Sequence, residues 1–155
     1  MKKIIMLSVI TLFNIFLHAK HDATQIARFT ITQSELKSSK KEFVNNTKYH
    51  LQLRYSIQDS KTGQQYTQEP IIHRGDRKII DFADAASHFL PDAQLEYTLE
   101  LLRVKQLPKG AGIPLIASKL RNGNLAFQIS SARFKKDKIF EFYLNNNGLL
   151  LHKSH

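Results

Sequence analysis

Cysteine and tryptophan are absent from these 155 residues, methionine occurs twice, and glycine and proline number only six and four. Without cysteine there can be no disulfide, no thiolate nucleophile, no cysteine-based metal centre and no cysteine to carry a lipid. The fold must therefore be held by core burial alone. The six glycines are scattered through turns, so no glycine-rich phosphate loop exists. The Gly-x-Ser-x-Gly elbow of serine hydrolases is missing as well. Acidic residues are few, 13 against 23 lysines and arginines, which leaves a formal charge of +10. Beyond the N-terminus no apolar run approaches the roughly 20 residues needed to cross a bilayer as a helix.

The N-terminus has the layout of a bacterial-type secretion signal. Lys2 and Lys3 supply the positive end, and residues 4–17 form an apolar run interrupted by Ser8, Thr11 and Asn14. Ala19 then offers a small residue for cleavage, with Leu17 two positions before it. Residues 1–19 are read as a signal peptide and residues 20–155 as one exported domain, periplasmic or secreted, with no transmembrane segment in the mature chain.

The charge is unevenly placed. Residues 20–102 carry 11 basic and 11 acidic side chains, whereas residues 103–155 carry ten basic ones against only Asp137 and Glu141. Clustered like charge steers an oppositely charged partner toward that face. An exported protein meets anionic lipid, acidic glycans and acidic proteins there, and nucleic acid is not an expected partner. Arg133, Lys135, Lys136 and Lys138 surround one predicted turn, with Phe134 among them. An aromatic within a basic loop can enter a lipid interface or stack on a sugar ring. These five residues form the expected binding face; the competing reading places Phe134 in the core and makes the lysines a solubilising turn.

Period-two alternation dominates. Tyr49, Leu51, Leu53, Tyr55 and Ile57 alternate with polar residues, and Leu95, Tyr97, Leu99 and Leu101 repeat the pattern. A slip in phase at Leu102 predicts a bulge near Leu101 and Leu102. Turns are expected at residues 59–63, at Arg74-Gly75-Asp76, at Asn122-Gly123 and at residues 145–148. One short helix is marked by Phe82, Ala85, Ala86 and Phe89, with Asp81 at its start and Pro91 at its end. Thr32 and Glu35 match a capping box, but the polar residues 34–46 read as a loop with at most one helical turn. The expected fold is mainly β: a single antiparallel β-sandwich or small barrel of about eight strands with one short helix.

Catalytic signals are weak. Glu96 and Glu100 lie on one outward strand face, and with Glu141 they make a candidate acidic patch for glycosidase-type chemistry. No histidines have zinc-protease spacing, and His152 and His155 sit near a C-terminus expected to fray. His21 would stand second after cleavage, where amine, amide and imidazole can chelate Cu(II). No metal or other cofactor is expected. The reading that follows is a non-enzymatic binding or assembly module of the envelope or secreted fraction. The alternatives are a small secreted enzyme acting on envelope or host polymers and a secreted host-directed factor.

Overall fold

The computed structural model describes residues 23–102, 128–146 and 150–155. The signal sequence, His21 and the Asn122-Gly123 turn lie outside the described residues, as does part of the turn at residues 145–148. In chain order the elements are β1 (Ala23–Thr32), α1 (Gln33–Lys37), β2 (Lys40–Asn45), β3 (Leu51–Asp59), β4 (Gln65–Gln68), β5 (Ile71–Ile72) and β6 (Arg77–Asp81). They continue with α2 (Ala83–Ala86), β7 (Gln94–Leu102), α3 (Ser131–Lys136), β8 (Ile139–Leu144) and β9 (Leu150–Ser154).

The strands form two sheets, and the fold is a mainly β sandwich without a closed barrel among the described residues. One sheet runs β1-β7-β3-β4, with β5 paired to the other end of β3; the second runs β6-β2-β8-β9. The alternation in β3 and β7 is realised directly. Leu51, Leu53, Tyr55 and Ile57 face the core with Leu95, Tyr97, Leu99 and Leu101, and the residues between them face outward. The second sheet contributes Phe43, Ile80, Phe140, Phe142 and Leu150 to the same buried cluster.

Four expectations need correction. The sandwich is not wholly antiparallel, because β2 and β8 pair in parallel. A parallel pair needs a long crossover, and β3, β4, β5 and β7 of the first sheet lie in the chain between these two. There are three short helices among the described residues where one was expected. The polar stretch 34–46, expected as a loop, holds most of α1 and all of β2, and the capping box is real. Thr32 Oγ1 accepts from the Glu35 N–H at 3.3 Å, and Glu35 accepts from the Thr32 N–H at 2.9 Å. Finally, the bulge lies on β1 rather than β7. Gln25 faces Glu100 and Ala27 faces Leu99, so Ile26 is the extra residue, and both Ile26 and Ala27 are buried. Leu101 and Leu102 are both buried within an uninterrupted β7.

The expected helix is present as α2. Asp81 accepts from the Ala83 N–H at 3.0 Å, and Phe82, Ala85, Ala86 and Phe89 are all buried. Among the described residues no helix is long and apolar enough to cross a membrane.

Candidate functional site

The parallel pairing of β2 with β8 creates the most distinctive surface. Parallel strands place both of their starts at the same end of a sheet. The start of β2 carries Ser38, Ser39, Lys40 and Lys41, and the start of β8 follows Lys135, Lys136 and Lys138. The Glu42 N–H donates to the Lys138 carbonyl at 2.8 Å, and Lys41 Nζ donates to the Asp137 carbonyl at 2.9 Å, joining segments 96 residues apart. The result is a groove of about 240 Å³ lined by Lys40, Lys41, Lys135, Lys136, Lys138, Ser38, Ser39 and Glu35. Five lysines thus face a single carboxylate.

That carboxylate is already engaged. Glu35 Oε1 lies 2.9 Å from Lys135 Nζ, and the pair holds the Glu35 carboxyl near a pKa of about 2, with the Thr32 N–H as the next contributor. Lys41 is buried, its ammonium 4.8 Å above the Phe134 ring. Burial lowers its pKa, and the nearby Asp137 carboxylate opposes the shift. It forms the wall of the groove, while Lys40, Lys136 and Lys138 present exposed charge.

Of the five residues expected at the binding face, three line this groove: Lys135, Lys136 and Lys138. Arg133 is exposed on α3 but lies outside it, close enough to His152 to help burial lower that histidine's pKa. Phe134 must be removed from the face. It is 0% exposed and contacts Phe29, Tyr97, Phe82 and Phe140 at centroid distances of 4.7 to 6.2 Å. It therefore touches both sheets. The physical reason is that residues 131–136 are helical rather than a turn, with Ser130 Oγ accepting from the Arg133 N–H. The helix turns Phe134 inward while its lysines stay out.

A different apolar pair borders the groove. Ile79 on β6 and Ile139 on β8 both lie opposite Glu42, on the outer face of the second sheet. Ile79 is 54% exposed. Together with Lys40, Lys41 and Lys138 the two isoleucines line a shallow, adjoining depression of about 410 Å³. Lys40 and Lys41 were missed as site residues because the stretch containing β2 reads as a loop, and Ile79 because its place beside Glu42 is set by the β2–β6 pairing. The available signal was the basic pair following the capping box.

Other chemistry does not assemble. Ser34-x-x-Lys37 and Ser38-x-x-Lys41 have serine–lysine spacing. However, the Ser38 and Ser39 hydroxyls both donate to the Glu35 carbonyl, and Lys41 donates to Asp137. Glu96 is ion-paired with Arg28 at 2.8 Å and Glu100 with Arg54 at 3.7 Å. Glu141 stands on the other sheet near His155, so the expected acidic patch is divided. The C-terminus is not frayed either: the Lys138 and Ile139 N–H groups donate to the His155 carbonyl, and the His155 N–H returns to Ile139. Among the described residues no three side chains of metal-ligating type converge. No family model matches the chain, and no curated protein or solved structure is significantly similar to it.

Proposed function

We propose that the lysine groove holds the phosphate of an anionic lipid, and that the chain is an exported, non-enzymatic binding or assembly module acting at a bacterial envelope or other anionic membrane surface. The observation that carries this reading is the convergence of five lysines on one groove with a single, already paired, carboxylate. The exposed ammonium groups of Lys40, Lys136 and Lys138 supply point charges for a phosphate. The adjoining Ile79 and Ile139 favour lipid over an acidic glycan or protein, because an apolar step beside a cationic groove suits a headgroup next to acyl chains. Lysines near an anionic leaflet each contribute about 1 kcal/mol, an attraction that salt screens.

The test is vesicle co-sedimentation of residues 20–155 with phosphatidylglycerol-containing and neutral phosphatidylcholine vesicles, at low and physiological salt. Lys40→Glu/Lys138→Glu and Ile79→Ser are run alongside. Binding that requires anionic lipid, weakens with salt, is abolished by the charge reversal and is reduced by Ile79→Ser supports the proposal. Equal, negligible sedimentation with both vesicle types overturns the lipid reading. Binding unaffected by Ile79→Ser leaves a purely electrostatic anion site.

A further inference from the structure

Near Asn45, at the end of β2 opposite to the one that carries the groove, two histidines meet across a ladder. β5 pairs with β3 through Leu51–Ile72 and Gln52–Ile71, so the next step of the same register sets His50 opposite His73. The Leu53 N–H donates to the Pro70 carbonyl, which makes Leu53–Pro70 and Leu51–Ile72 the hydrogen-bonded steps. His50 and His73 therefore fall at a non-hydrogen-bonded step, where opposing side chains approach most closely. Their rings stand nearly perpendicular, with centroids 4.8 Å apart, and the two Nδ1 atoms are separated by 3.3 Å.

That separation suits chelation. Two imidazole nitrogens each about 2.0–2.1 Å from a tetrahedral ion are about 3.4 Å apart. We propose that His50 and His73 form a two-imidazole site for a divalent transition-metal ion of the zinc or copper type, with water completing its shell. The frame beneath them is built before any ion arrives. Asn45 is fully buried, and its amide donates to the carbonyls of Tyr49, Ile72 and His73 at 2.7, 3.0 and 3.1 Å. Its own oxygen accepts from the N–H and hydroxyl of Thr47. One side chain thus ties both histidine-bearing segments together. The following turn is closed by the Asp76 N–H bonding the His73 carbonyl, and Gly75 takes the positive φ of 72° that its third position requires.

The surroundings of His50 favour its neutral, ligating form. Burial lowers the pKa of His50, and His73 and Arg74 lower it further. Arg74 is also the charge that opposes an incoming cation, so ions that prize nitrogen ligands will displace protons and water here while hard ions such as magnesium will not. An ion bridging the two rings would cross-link the two-residue β5 to β3 and stabilise the native state alone.

Calorimetric titration of the protein with zinc chloride at pH 7.5, with magnesium chloride as the control, tests the site. The wild type and His88→Gln should take one zinc ion, while His50→Gln and His73→Gln should lose that binding and magnesium should produce none. In a parallel NMR titration of the wild type, the ring signals of His50 and His73 should shift together before those of the other histidines. Zinc should raise the melting temperature of the wild type and not of the two variants, whose circular dichroism reports whether they fold. Zinc binding that survives both substitutions, an unresponsive His50–His73 pair, or no binding by the wild type overturns the proposal.

Discussion

Phe134 shows how one residue can change its meaning when its backbone conformation is known. In sequence it is an aromatic amid cations, and in the folded chain it joins β1, β7, β8 and Phe82, which precedes α2, through ring contacts. Phe134→Ala should cost about 3–5 kcal/mol of stability in a urea titration, from lost burial and the cavity left behind. A cost of under 1 kcal/mol would place the ring outside the core. Glu35 makes a prediction of the opposite kind, read in pH. Its folded pKa, about 2, lies below the ordinary 4.5, so its contribution is complete above pH 4.5 and disappears as pH falls through about 2. Because the Glu35–Lys135 pair is more than two-fifths exposed, solvent screening keeps that contribution small. Glu35→Gln should flatten the acid side of the stability profile between pH 5 and 2, with both proteins converging below that range. An unchanged slope would show that the pair does not persist in solution.

At the scale of elements, the structure depends on connections that hydrophobic periodicity does not encode. β2 contains Lys41, Phe43 and Asn45 on its inward face, and only Phe43 is apolar. An alternating pattern with a buried lysine and a buried asparagine reads as polar loop, although both groups are satisfied by carbonyls once the neighbours are present. Asn45→Ala should destabilise the protein by about 1–3 kcal/mol, since it strands buried hydrogen-bonding partners. Hydrogen exchange in β5 and the Thr47–His50 segment should accelerate with it; protection unchanged from wild type would contradict this role. The Thr32–Glu35 capping box is a case where sequence did speak. Its geometry is local, so the side-chain spacing that announces it is also what forms it.

For the molecule as a whole, the distribution of charge matters more than its total. Lys61 lies in the β3–β4 turn, remote from the groove lining, whereas Lys138 is part of that lining. Lys61→Glu and Lys138→Glu change the net charge equally, yet only the second should substantially weaken anionic-vesicle binding in co-sedimentation. Equal losses would mean that net charge alone drives attachment.

The chain by itself determined the mainly β class, the two best strands, the turns at residues 59–63 and 74–76, and the position of α2. Each rests on contacts or patterns short in sequence, such as period-two burial, turn-forming residues and the spacing of a helical face. It also showed that positive charge collects toward the C-terminus. Only the tertiary structure decided which cations act together, because the parallel β2–β8 pairing sets Lys40 and Lys41 beside Lys138 through backbone hydrogen bonds, such as that from the Glu42 N–H to the Lys138 carbonyl, that carry no residue signature. The same holds for His50 and His73, which are unremarkable in sequence and become a pair through ladder register. Local patterns are written in side chains, whereas long-range pairing is selected by the packing of the entire core.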